Sequence, residues 1–420
     1  VLFAKQTRID LYRYIIFLEV SIIMENNKWK QKFFAIYTGQ FFSLLSSAAV
    51  QFGIIWWLTD KTGGSPLLLT LAGLAGFLPQ ALVGPFAGTI TDRYSRKFLM
   101  ISADMTVALG SLILFLILHF YEANIIFVIL ILALRSLATA FHMPAMQASI
   151  PLLAPEEALT KVAGWGQMVA SVSNMVGPAV GMSILSVSSI KWVLLLDILG
   201  AVVASGILLF INIPKVQKTE SVELTSFFVE MKEGYNALVN HPILLKLTIL
   251  MTIVAVLYIP LGTYFPLMTR NHFGKGVVEA GTVEIAFAIG LIVGGSLLGI
   301  IGDKFEKVKT MAIGMLLMGL ALFFSGLLSP SLFFIFIILS GLVGFSGPLF
   351  SAPFYAYIQT EIEPQLLGRI FSFVTSLSLL ATPIGYALSG LLIEFTSVSI
   401  LFSIIGVLVI LSGLITLKVK

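Results

Sequence analysis

Gly84-Pro85-Phe86-Ala87-Gly88-Thr89-Ile90-Thr91-Asp92-Arg93-Tyr94-Ser95-Arg96-Lys97 decides how this chain is read. An apolar run with glycines four residues apart ends in an aspartate, and three cations crowd the turn that follows. The pattern Gly84-x-x-x-Gly88-x-x-x-Asp92-Arg93-x-x-Arg96 recurs as Gly295-x-x-x-Gly299-x-x-x-Asp303-Lys304-x-x-Lys307, every position offset by 211 residues. Pro144 and Pro155 are answered by Pro353 and Pro364, offset by 209. The chain is a duplication.

The rest of the composition says in what medium the two copies fold. The 420 residues are 58% hydrophobic and 11% charged, with a mean hydropathy of +1.02. Soluble domains carry about 45–50% apolar and about 25% charged residues, so a soluble enzyme and a disordered chain are both excluded. The net charge of +4 is spread over short loops with no basic patch among exposed aromatics, which argues against a nucleic-acid partner. Cysteine is absent, so there is no disulfide, thiolate metal site or thiol nucleophile. His119, His142, His241 and His272 have no metal-ligand spacing, and no cofactor is expected. What remains is an all-α integral membrane protein.

A helix needs about 20 mostly apolar residues to cross the hydrocarbon. Twelve segments qualify: Phe33–Leu58, Leu67–Ile90, Phe98–Tyr121, Asn124–Met146, Val162–Val187, Lys191–Asn212, Leu244–Met268, Thr282–Gly302, Val308–Leu328, Ser331–Tyr357, Ile370–Ile393 and Ser397–Leu417. They are continuous runs, not alternating strands, which excludes a barrel. With the Met24 end placed inside, seventeen Lys and Arg fall in inside segments and four (Lys61, Lys191, Arg270, Lys275) outside, so both termini are expected in the cytoplasm of a plasma-membrane protein. Residues 24–212 form the first six-helix half and residues 244–420 the second. The charged stretch 213–243 is their cytoplasmic linker, with a surface helix around Ser226–Val239. Residues 1–23 mix Lys5, Arg8, Asp10, Arg13 and Glu19 with apolar positions. They read as an upstream extension or mis-assigned start before Met24, with a short amphipathic or anchor segment as the rival. Two matched halves around a midplane cavity are the architecture of a secondary transporter.

Gly84 and Gly88 share one helix face and let a neighbouring helix approach. Asp92 can pair with Arg93, Arg96 or Lys97, or with a facing helix amino terminus. Breaking and remaking such pairs makes a latch between two packings of the halves, against the plainer reading of positive-inside charge on a tight turn. Asp303 and Lys304 form the second copy.

This stretch resembles the loop 2–3 motif of the major facilitator superfamily. Gly164, Gly177-Pro178 and Gly181 sit where the fifth-helix antiporter motif of drug exporters has a glycine, a Gly-Pro and a glycine, although Ser173 and Met182 stand where that motif usually has glycine. A mid-helix Gly-Pro frees backbone hydrogen bonds. Ala140-Phe141-His142-Met143-Pro144-Ala145, Pro151–Lys161, Trp57–Gly63 and Leu196–Ala201 resemble macrolide-efflux transporters, within a wider group that includes enterobactin-type exporters. The resemblance implies a major facilitator fold whose two six-helix halves enclose a central cavity. It also implies export of an amphipathic small molecule, a macrolide by nearest resemblance, in exchange for protons, by a chain that works as a monomer in the lipid bilayer.

Intramembrane ionisable residues are the default functional candidates. Arg135, near the middle of the fourth helix, resembles the arginine of proton-coupled exporters. Asp104 is expected to pair with the latch, Asp197 to satisfy neighbouring backbone, Glu284 to be a solvated helix-start acid and His142 to pack. The first helix offers only Gln40 and Gln51, so the proton carrier is unassigned. The resemblance puts the cavity wall on helices one, four, seven and ten, with Gln51, Tyr258, Tyr264, Phe350 and Phe354 as candidates for a bulky ligand. Rival readings are export of a siderophore or other metabolite and, from another class, a non-transporting sensor or a membrane enzyme. Against the enzyme, no His–carboxylate cluster is expected at membrane depth.

Overall fold

The computed structural model describes residues 2–121, 124–155, 158–213, 232, 234–301 and 305–419, with most side chains from Trp29 onward. Its helices are Leu2–Lys61, Pro66–Arg93, Arg96–Phe120, Ile125–Leu153, Leu159–Val187 and Ile190–Phe210 in the first half. The second half has a two-piece seventh helix, Pro242–Tyr258 and Leu261–Asn271, followed by Val277–Ile301, Lys307–Leu327, Phe333–Glu361, Pro364–Phe395 and Val398–Leu417. Among the described residues, twelve stretches are long and apolar enough to cross a membrane, the first being Trp29–Lys61. They are called helices one to twelve below.

Local chemistry sets the ends. Ser95, Asn124 and Ser397 accept from the amides of Phe98, Ile126 and Ile400, satisfying donors that a helix start leaves free. Pro66, Pro242, Pro330 and Pro364 occupy starts, where a missing N–H is harmless. The seventh segment, expected unbroken over Leu244–Met268, divides at Ile259-Pro260, because Pro260 cannot donate to the preceding turn. Of the expected linker helix, residues 234–239 are helical, and most of the linker lies outside the described residues.

The duplication reappears in the packing. In the first half helix one packs on five and six, three on four and six, and two on four; in the second, seven packs on eleven and twelve, nine on ten and twelve, and eight on ten. The halves meet where two faces eleven, five faces eight, and the second piece of seven touches one and two. Large apolar side chains such as Phe210 and Phe395 stand exposed around the rim. Water would not tolerate so wide an apolar surface, and lipid does.

Candidate functional site

Two groups of residues stand out, one inside the first half and one between the halves. The first starts from spacing. Asp104 and Ser111 lie seven residues apart on helix three, and Arg135 and His142 lie seven apart on helix four. Seven residues are about two turns, so each pair shares a face. The helices run antiparallel, which brings Ser111 to Arg135 and Asp104 to His142. The Arg135 guanidinium pairs with Asp197 of helix six and donates to Ser111 Oγ at 2.8 Å. Ser111 donates to Asp197 Oδ2 at 2.6 Å. From helix one, Ser47 and Ser46 donate to Asp197 Oδ1 at 3.1 and 3.4 Å. Ser46 also donates to the Ser43 carbonyl at 3.0 Å. Ser43 Oγ donates to Asp104 Oδ1 at 3.2 Å, and His142 Nε2 lies 3.5 Å from that same oxygen.

Four helices thus share one buried polar ladder. Arg135 and Asp197 are 7% and 1% exposed, far too little for water to solvate either charge. Asp197, expected to satisfy nearby backbone, is instead the counter-ion of Arg135. The described partners of Asp104 are Ser43 and His142, not the latch. His142, expected as a packing residue, faces an acid. Glu284 is half-buried, seven residues inside helix eight, rather than at a solvated helix start.

The second group closes one end of the molecule. Toward the 1–2 and 7–8 loops the halves are joined by polar contacts. Arg270 pairs with Asp60 at 2.9 Å, Asn271 Nδ2 donates to the Gly64 carbonyl at 3.0 Å, and the hydroxyls of Thr70 and Tyr264 bond at 2.8 Å. Tyr264 also bonds Ser389 at 3.2 Å, Tyr386 bonds Thr263 at 2.7 Å, and Phe77 stacks on Tyr386. The ring of Tyr386 fits only because position 73 is glycine: an added Cβ there would stand 2.1 Å from it. At Gly84, eleven residues further along helix two, an added Cβ would meet Leu379 at an ordinary 3.4 Å. Helices two and eleven therefore approach tightly at Gly73, and again where Gly390 meets Thr70, while the expected Gly84 makes only ordinary contact with Leu379.

The turn after helix two is pinned within its own half. Arg96 donates to the Ala148 carbonyl at 2.6 Å, and Lys97 to the carbonyls of Leu209 and Ile211 at 2.8 and 2.9 Å. Leu209 and Ile211 are at the end of helix six, where free carbonyls and the dipole favour cations, and Ala148 lies in the last two turns of helix four. The second copy repeats the contact: Lys307 donates to Thr360 at the end of helix ten at 3.4 Å. It lines a cleft of about 610 Å³ with Glu306, Tyr357 and Glu361. Gly88, Asp92 and Arg93 lie in helix two, but nothing is described beyond their backbone; Asp303 and Lys304 lie outside the described residues.

Gly177 and Gly181 set the contact of helix five on helix one. An added Cβ would stand 2.4 Å from Ala48 Cβ at Gly177 and 2.6 Å from the Ala49 carbonyl oxygen at Gly181. Pro178 sits between them in an otherwise continuous helix. Gly181→Ala is expected to cost about 1–3 kcal/mol by overpacking, read as a lower melting temperature in detergent. An unchanged melting temperature would mean that this contact is loose. Of the cavity candidates, Gln51 and Tyr258 are half-buried, Tyr258 stacking on Phe287. Phe350 and Phe354 are buried, and Tyr264 belongs to the seal.

Comparison with known proteins fits this architecture. The model of the Major Facilitator Superfamily matches residues 36–283 and 261–420. The chain is 39% identical over 385 residues to Macrolide efflux protein A of Streptococcus pyogenes, covering 91% of this chain and 95% of that protein. It is 26% identical over 379 residues to the multidrug efflux pump Tap of Mycobacterium tuberculosis (86% and 87% covered). Among solved structures, an inward-facing bacterial homologue of the iron transporter ferroportin aligns with a TM-score of 0.71 at 14% identity (93% and 98% covered). The nucleoside transporter NupG aligns at 0.69 and 11% (92% and 99% covered). With family models spanning both halves and the halves themselves repeating one packing scheme, the chain belongs to the Major Facilitator Superfamily and is a membrane transporter, not an enzyme.

Proposed function

We propose that the chain exports amphipathic drugs, macrolides foremost, by alternating access driven by inward proton flow. The excess of Lys and Arg supports a topology with both termini cytoplasmic, which puts the Asp60–Arg270 seal on the outer side. The observation that carries the cycle is this seal, made of one hydroxyl pair, one amide–carbonyl bond and one ion pair, which can part without stranding a buried charge. In the opposite state the Asp92 and Asp303 turns meet the other half and act as the latch, and Gly84 and Gly88 become the close contact. The substrate class is supported by 39% identity to a macrolide efflux protein along nearly the whole chain. Gln51 and Tyr258 are the ligand contacts best placed to face a bulky substrate. The chain works as a monomer.

Arg135 stays charged and cannot carry a proton. Committed to Asp197, it braces helices three, four and six as one body and fixes the field around the acids of the first half. Expression in a drug-sensitive host is expected to raise the inhibitory concentration of macrolides, and collapsing the pH gradient is expected to abolish the effect. Export of a siderophore with no macrolide resistance would leave an exporter of another substrate. Resistance that persists without the gradient would remove proton coupling.

A further inference from the structure

We propose that Asp104 and His142 hold the counter-transported proton, in a closed polar chamber completed by Ser43 and, one turn along the same face of helix one, by Gln40. This inference rests on the proton-coupled reading above. Asp104 and His142 are 5% and 8% exposed, and Gln40 is fully buried. Asp104 Oδ2, His142 Nε2 and both amide atoms of Gln40 are buried without a hydrogen-bond partner among the described residues. Leaving such atoms unpaired is costly, and native structures keep them where a water, an ion or a proton is handled.

The chemistry needs one proton. With a neutral imidazole, the chamber holds a single carboxylate charge that only Ser43 is placed to stabilise. A proton taken on the lone pair of Nε2 turns that nitrogen into a donor facing Oδ1, 3.5 Å away, and a small approach makes a charge-assisted bond. The chamber is then neutral overall, which a medium of low polarity favours. Release needs the carboxylate to gain a donor beyond Ser43, and the Gln40 amide supplies one if helix one moves. Helix one is placed to report the cycle, because it touches the second piece of helix seven across the interface.

Other charges around the pair are already engaged. Arg135 and Asp197, about two turns away, neutralise one another. Arg96 and Lys97 are tied to backbone carbonyls. Helix one has no charged residue from Phe33 to Thr59, helix two none from Pro66 to Thr91, and helix five none after Lys161. The side chains of Asp92, Arg93 and Lys161 are not among those described.

The test uses the full chain in proteoliposomes with erythromycin as the probe. For one proton exchanged per drug, a gradient of one pH unit is expected to give about tenfold accumulation by the wild type. Asp104→Asn and His142→Gln are expected to lose this response and to release no proton on drug addition in detergent, while drug still exchanges without a gradient. Asp104→Glu, which keeps the carboxylate, is expected to retain the response. If an Asn or Gln variant does not fold, Ser43→Ala is the fallback, expected to displace the pH midpoint of proton release; an unmoved midpoint overturns the proposal. Wild-type accumulation by both Asp104→Asn and His142→Gln overturns this inference alone. A wild type that ignores the gradient overturns the proton-coupled reading and this inference with it.

Discussion

Asp197→Ala is expected to destabilise the chain by about 3–5 kcal/mol, because it leaves the Arg135 guanidinium buried and unpaired. Arg135→Ala is expected to cost a similar amount by stranding the carboxylate among Ser111, Ser46 and Ser47. Replacing both at once, Arg135→Met with Asp197→Leu, is expected to recover most of the loss, since well-packed apolar pairs often match a buried ion pair in stability. The double variant separates bracing from coupling. If the pair serves only to hold helices three, four and six together, gradient-driven transport returns with stability. The coupling role predicts a stable protein that has lost it. Thermal unfolding in detergent and accumulation in proteoliposomes read the two quantities independently.

The twelve spans were legible in the sequence because crossing a membrane is a one-dimensional requirement. Phe98–Tyr121 was expected and Arg96–Phe120 is found, Lys191–Asn212 was expected and Ile190–Phe210 is found. The duplication was legible from the 211-residue offset, and its packing counterpart is the cation of each copy tied to the end of the fourth helix of its own half. The partner of Arg135 was not legible, because Asp197 is 62 residues away and meets it only through the packing of helix six on helix three. One signal was present: Asp104/Ser111 and Arg135/His142 have the same seven-residue spacing on consecutive antiparallel helices, which forces two polar rungs. The seal was missed for a different reason. Tyr264 reads from its composition as an amphipathic ring suited to a cavity, and only the fold puts its hydroxyl between Thr70 and Ser389. Likewise Gly84 and Gly73 look equivalent along helix two, and which one is tight depends on the end that is closed.

Opening the seal is expected to have the second large effect. Gly73→Val would drive its side chain into the Tyr386 ring and hold the halves apart at that end. Overpacking of about 1–3 kcal/mol corresponds to a shift of about 5–150-fold in the balance between the two states. Transport is expected to fall accordingly, with Tyr386 and Thr70 becoming reachable from that side. Tyr386→Ala is expected to weaken the seal without blocking it, since it removes the ring and the bond to Thr263 together.

The opposite intervention tests the alternating-access account most directly. The native chain contains no cysteine, and Asp60 and Arg270 are the exposed pair that bridges the halves at the closed end. In the Asp60→Cys, Arg270→Cys double variant, a short cleavable bifunctional thiol reagent can tether the halves there. The account predicts that tethering stops drug transport and that cleaving the tether restores it, while either single-cysteine variant treated alike keeps transporting. Transport at the full rate with the two cysteines quantitatively linked would contradict it, because the halves would then not need to part at this end.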